Sequence, residues 1–165
     1  RKAHMYMREV AEKNQWIKPT CIHTPMLSGL KGPGGRMDSF DHKMSKSDPE
    51  NAILLDDDSE SIRTKIRKSF LDVGNDKSPI FEISQHVIMP KLGKVVVSPD
   101  PKYGKPSEWT DQQQFVDAVS NGEIHPLDAK MAVADALFEV LEPISQHFSD
   151  KQDLIESINS ISGKS

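Results

Sequence analysis

A single cysteine, Cys21, occurs in this chain, which excludes an internal disulfide and suits a reducing compartment. Long apolar runs are missing too. None approaches the roughly 18 residues needed to cross a bilayer, and no signal peptide is visible at the start. There is no excess of positive charge: 21 Lys and Arg stand against 25 Asp and Glu, a net charge of −4. A generic polyanion binder needs a basic surface, so any contact with nucleic acid has to be local. His4, His23, His42, His86, His125 and His147 lack the tight spacing of zinc ligands, and no resident metal is expected. Internal repeats, low-complexity tracts and an initiator methionine are absent as well. Arg1 begins inside what reads as a helix, so the chain is expected to be a fragment or one piece of a cleaved enzyme.

What is present suits a soluble globular protein of one ordinary domain or two small ones, with 165 residues, 36% of them apolar and 28% charged. Residues 1–14 carry His4, Met5, Met7, Val10 and Ala11 at helical spacing, which predicts an amphipathic helix. Thr20–Thr24 reads as a short strand, with Cys21 a buried small hydrophobe inside it. From Ser28 to Asp48 glycine, proline and polar residues predict a loop, and Ala52–Leu55 predicts a second short strand. Asp58 or Ser59 caps a helix reaching Phe70, with Ile62, Ile66 and Phe70 as its apolar stripe and Arg63, Lys65, Arg67 and Lys68 on solvated faces.

Further helices are expected at Pro79–Met89, ended by Pro90, and at Trp109–Asn121, ended by Gly122. A short strand at Lys94–Ser98 and a turn-rich stretch over 99–106 lie between them. The strongest helix spans 126–142. One stripe is Leu127, Met131, Ala134, Phe138 and Leu141; a second beside it holds Val133, Leu137, Val140 and Ile144. So wide an apolar arc belongs inside a bundle, and Pro143 should kink or end it. A shorter helix is expected over 150–161, with a frayed end after it. The chain thus divides into an α/β layer over 1–57 and a mainly helical part over 58–165.

The chemistry concentrates in Lys43-Met44-Ser45-Lys46-Ser47, two ammonium groups and two hydroxyls in one short run, followed by Asp48-Pro49. A Lys/Ser string alone is ordinarily a solvated loop or a modification site. After a glycine-rich loop, however, such a run can fold over a polyphosphate and neutralise charge as it develops, which is what phosphoryl or nucleotidyl transfer requires. His125-Pro126-Leu127-Asp128 is by its own pattern an ordinary helix start, with proline at the first position and an acid in the first turn.

In order along the chain stand Arg1-Lys2-Ala3-His4-Met5, the Cys21–Leu30 stretch, Lys43–Ser47 and His125–Asp128. This series resembles the second half of a class I aminoacyl-tRNA synthetase, and most of all the tyrosyl-tRNA synthetases of archaea and eukaryotes, over residues 1–148. The resemblance implies an α/β fold: the closing segment of a Rossmann-type catalytic domain, then a mainly α-helical anticodon-binding domain. The family's HIGH element and tyrosine pocket would lie upstream of residue 1, and residues 35–42 look like an insertion in its loop. The implied activity is ligation of tyrosine to tRNA(Tyr), with ATP as substrate and magnesium carried on its phosphates.

By resemblance Lys43 and Lys46 are catalytic, and Met44, Ser45, Lys46 and Ser47 contact ATP. Met26 and Leu27 occupy positions where the family's backbone lies close to adenine. Tyr103, in Lys102-Tyr103-Gly104, would stack on an anticodon base, while His125, Pro126 and Asp128 read the first one; Trp109 is an alternative stacking group. The implied partners are tRNA(Tyr), ATP, tyrosine and the missing N-terminal part, in a cytoplasmic homodimer or pseudodimer without a membrane. A tryptophanyl-tRNA synthetase and a non-catalytic tRNA-binding module are the rival readings.

Overall fold

Helix α6 (Pro126–Ser149) is the axis on which the helical part is packed. Ala129, Val133, Ala134 and Leu137 on its inner face are buried, the alanines admitting close neighbours and the larger side chains filling the gaps. Helix α2 (Ser59–Lys68), helix α3 (Pro79–Ile83) and strand β1 (Val95–Val97) all pack on α6. They bring Ile62 and Ile66, then Ile80, Phe81 and Ile83, then Val95 and Val97 into one cluster. Helix α5 (Gln112–Ser120) adds Phe115, whose ring meets that of Phe81 edge-on with centroids 6.0 Å apart. Each such fully buried side chain stabilises the fold by about 1.5–3 kcal/mol.

The computed structural model describes residues 2–32, 43–74, 76–149, 151, 153, 154 and 157. The expected insertion at 35–42 therefore lies outside the described residues, as do most of the helix expected over 150–161 and the end after it. In chain order the elements are α1 (Lys2–Lys13), a 3₁₀ turn (Pro49–Asn51), α2, α3, a π-helical turn (Ser84–Ile88), α4 (Met89–Leu92), β1, β2 (Ser107–Trp109), α5 and α6. Strands β1 and β2 pair antiparallel with Val95 opposite Trp109 and Val97 opposite Ser107. The architecture is helix-rich with a small two-stranded sheet.

Local chemistry explains the boundaries. Asp58 accepts the Ser61 backbone N–H at 2.7 Å and so caps α2. Hydrogen bonds from the Ser61 hydroxyl and from that N–H hold the Asp58 carboxyl below its ordinary range. Its neighbour Asp57 pairs instead with Lys65 at 2.7 Å, both side chains nearly buried. At the far end of α2, Lys130 of α6 donates to the carbonyls of Arg67 and Ser69, and burial pushes its amine pKa down.

Several expectations need correction. Neither Thr20–Thr24 nor Ala52–Leu55 is a strand, because neither finds a ladder partner among the described residues. Around the second, Leu54 N–H goes to the Asp57 carboxylate at 2.8 Å and Asp57 N–H to the Leu54 carbonyl, so local partners take the place of a sheet. Cys21 is exposed rather than buried, and its neighbour Ile22 is 91% exposed. Phe70 lies beyond α2, where its N–H pairs with the Leu30 carbonyl at 2.7 Å and its ring covers Gly32, whose φ of +75° suits glycine.

Pro90 does not end its helix. The preceding π turn sends Met89 N–H to the Ser84 carbonyl, and this wider spacing removes the clash that a proline ring makes with an α-helical turn. Trp109 belongs to β2 rather than to a helix, since its backbone is engaged by Val95 and α5 is capped only at Asp111. Pro143 stays inside α6. It sits on an exposed side, where water can satisfy the carbonyl it leaves without a donor.

Candidate functional site

Two short extended pieces meet at the base of the lysine loop. Ser28 and Lys43 form an isolated antiparallel bridge, and Met44 N–H donates to the Leu27 carbonyl at 3.2 Å. The backbone of Met26-Leu27 is thereby brought against the start of Lys43–Ser47. Beyond it the chain turns tightly, with Asp48 N–H on the Ser45 carbonyl at 3.0 Å and the Ser45 and Ser47 hydroxyls 2.9 Å apart. Asn51 closes the far end. Its carbonyl accepts Leu30 N–H at 3.0 Å and its side-chain oxygen accepts Lys31 N–H at 2.8 Å. A Cβ on Gly29 would lie 2.4 Å from the Asn51 amide, so only glycine allows this approach.

Lys43 and Lys46 are both exposed, and neither forms an ion pair with another described residue. Lys31 reaches to Asp48, at 2.8 Å, and takes up the carboxylate that follows Ser47. The two loop ammonium groups are consequently open to an anion. Ser45 lies between them in the chain and Ser47 follows Lys46, each with a hydroxyl that can donate. Met44 is half-buried and packs against the apolar core, whereas Met26 is exposed and Leu27 half-buried. His23 lies against His4, with Nε2 and Nδ1 3.1 Å apart, and His4 Nε2 is buried without a partner among the described residues.

A second locus is a cleft of about 390 Å³ between the β1–β2 hairpin and the start of α6. It collects Tyr103, Trp109, His125 and Asp128 from three separate stretches of chain. Tyr103 is 85% exposed, held by a turn in which its N–H meets the Asp100 carbonyl at 2.8 Å. His125 Nδ1 accepts the Leu127 N–H at 3.2 Å, so that nitrogen is committed to starting α6. Asp128 is half-buried in the first helical turn, and Pro126 shapes that turn without lining the cleft. Trp109 donates its ring N–H to Ser107 Oγ at 3.0 Å and leaves a flat face for packing. Among the described residues no three His, Cys, Asp or Glu side chains come together as metal ligands.

Sequence reasoning missed Lys105 and Glu123 in the cleft, and Lys31, Asn51 and Glu82 around the lysine loop. Glu82 accepts from Ser28 at the loop's base across 54 positions, a separation that leaves no local pattern to read. The Asn51 contact joins residues 20 positions apart, and nothing in the local pattern marks it.

The family described as tRNA synthetases class I (W and Y) matches residues 3–142. The tyrosine–tRNA ligase of Aeropyrum pernix is 38% identical over 174 residues, covering 99% of this chain and 48% of that protein. Among solved structures, the tyrosyl-tRNA synthetase from Aeropyrum pernix superimposes with a TM-score of 0.79 at 35% identity, covering 99% of this chain and 45% of its own. The tyrosyl-tRNA synthetase complexed with L-tyrosine from Pyrococcus horikoshii gives 0.81 at 30% identity, over 96% of this chain and 48% of that one. The chain spans about half the length of the relatives it matches. The resemblance expected from the motifs is borne out.

Proposed function

The chain belongs to the class I tRNA synthetases of the tryptophan and tyrosine type, and from that premise we propose that it is part of a tyrosine–tRNA ligase. Residues 1–57 close the Rossmann-type catalytic domain, and residues 58–165 form the anticodon-binding domain. The complete enzyme activates tyrosine with ATP, whose phosphates carry magnesium, and passes the tyrosyl group to tRNA(Tyr). It works in the cytoplasm as a homodimer or pseudodimer. No helix among the described residues is long and apolar enough to cross a membrane.

The observation that carries the proposal is the bridge that sets Met26-Leu27 against the start of Lys43–Ser47 while both lysines stay open. Adenine lies along the Met26-Leu27 backbone, and the polyphosphate passes under the loop. The tyrosine carboxylate attacks the α-phosphorus, the bond to the bridging oxygen breaks, and pyrophosphate leaves with the accumulated negative charge. Lys46 and Lys43 meet that charge, and Ser45 and Ser47 donate to the phosphate oxygens. Such contacts strengthen as the transition state forms and so raise the rate of activation more than the affinity for ATP.

In the cleft, Tyr103 supplies a face for a splayed anticodon base and Asp128 an acceptor for a guanine N–H edge, with His125 and Pro126 fixing the turn. Apolar side chains that stand exposed between Met5 and Met26 fit a surface completed by the other half that the relatives carry. Tyrosine-dependent exchange of pyrophosphate into ATP by the complete enzyme tests the reading. Exchange is expected with tyrosine and not with tryptophan. Exchange with tryptophan alone, or with neither, overturns it.

A further inference from the structure

We propose that Glu82 is a positioning residue for the lysine loop, holding the loop's base in register from outside the catalytic segment. The inference rests on the function proposed above and adds to it a residue that no motif marks. Glu82 accepts from Ser28 twice, from the backbone N–H at 2.7 Å on one carboxylate oxygen and from the hydroxyl at 3.1 Å on the other. Two hydrogen bonds to one charged group fix both distance and orientation. The donor residue is the bridge partner of Lys43. The gripped Ser28 N–H and the Leu27 carbonyl that accepts from Met44 belong to one peptide unit.

The grip is only as rigid as its mount, and the mount is firm. Ile80, Phe81 and Ile83 flank Glu82 on α3 and are all buried in the core against α6 and Phe115. The helix therefore has no freedom to roll and carry the carboxylate away. No cation among the described residues pairs with Glu82, so Ser28 is its partner there. Asn51 pins the far end of the loop to Leu30 and Lys31. Between these two pins, residues 45–47 are tied chiefly to one another and to Asp48, which Lys31 and Asn51 hold in turn, and Lys43 and Lys46 are exposed. Loss of the Glu82 pin should leave the lysines present but misplaced, and misplacement of a transition-state contact is felt in kcat.

Glu82→Ala and Glu82→Gln test this. The glutamine keeps an acceptor for the Ser28 N–H and brings an amide donor for the Ser28 hydroxyl oxygen, so it preserves the geometry without the charge. In tyrosine-dependent pyrophosphate exchange by the complete enzyme, Glu82→Ala should lower kcat by roughly 10- to 100-fold with the KM for tyrosine unchanged, and Glu82→Gln should recover most of that loss. In the 165-residue chain, amide hydrogen exchange at Ser28 and Met44 should quicken in Glu82→Ala while Ile62 and Ile66 keep their protection. A wild-type kcat in Glu82→Ala overturns the proposal, as does unchanged exchange at Met44. A kcat loss that follows the melting temperature and is not recovered by glutamine also overturns it. Absence of any tyrosine-dependent exchange in the wild-type enzyme overturns the function itself, and that outcome is read before any variant is made.

Discussion

Residues 2–27 and the helices from Ser59 onward contain comparable apolar side chains and use them in opposite ways. In the helical part Ile62, Ile66, Ile80, Phe81, Phe115 and Val133 are fully buried in one cluster. In the first part Met5, Tyr6, Met7, Trp16, Ile17, Ile22 and Met26 are exposed, and Ala11 alone is buried. The difference lies in partners rather than in hydrophobicity. A helix closes its own backbone hydrogen bonds and needs only another surface to bury its stripe, which α2, α3, α5 and α6 give one another. Helix α1 finds no such surface for Met5, Tyr6 and Met7 among the described residues, and the extended segment after it finds no neighbouring strand there. The helical part is thus a structure complete in its core. The first part is one face of a structure, and we propose that the catalytic domain's other half covers it.

The largest effect that sharpens this comparison is on stability. Ile66→Ala in this chain should cost about 2–5 kcal/mol, whereas Ile22→Ala should fall within about 0.5 kcal/mol of neutral. Thermal unfolding reads both, and equal losses would erase the distinction. Next comes Lys46→Ala in the complete enzyme, which should slow single-turnover adenylate formation by about 10²- to 10³-fold while tyrosine binding is little changed. An unchanged rate would return the loop to an ordinary solvated string.

The cleft gives the next smaller effect. Asp128→Ala should lose about 1–3 kcal/mol of discrimination at the first anticodon base. Tyr103→Ala should lose a similar amount, about 1–3 kcal/mol, without base preference. Aminoacylation of the cognate tRNA and of a first-base variant separates these. Equal weakening of both tRNAs by Asp128→Ala, together with a lower melting temperature, would make the residue a helix-start acid and nothing more.

The smallest effect is on the acid side of the stability curve. Asp58 has a folded-state pKa below its ordinary value, so its contribution is present above that ordinary value and lost as pH falls through the folded one. Asp58→Asn keeps the cap but does not titrate, and should flatten this loss below about pH 4. An unchanged acid limb in thermal unfolding would mean that the Ser61 contacts do not distinguish the two charge states.

Legibility in the sequence followed the same divide. The helices α1, α2, α5 and α6 were readable because period, cap and stop agree within one segment, as at Asp58, Ile62 and Ile66. Pro90 misled because the proline rule concerns local hydrogen bonds and a π turn removed the conflict, and Pro143 did not end α6, where it sits on an exposed side. The strands expected at 20–24 and 52–55 failed because an apolar run says that a segment could pair and not what it pairs with. The lysine loop was legible as a motif, and so were Tyr103, His125 and Asp128. What was hidden is the support: Glu82 beneath Ser28, Asn51 against Gly29, and the turn that brings Tyr103 beside Asp128. These are meetings of distant segments, and no local pattern records them.

Amide hydrogen exchange compared between this chain and the complete enzyme tests the division most directly. The core amides of α6 around Ala132, Val133 and Leu137 should be slow in both. Those of residues 16–27 should be fast in this chain and become slow in the complete enzyme, as the exposed apolar face is covered. Equal protection of residues 16–27 in both samples would contradict the division, because the first part would then need no other half to complete it.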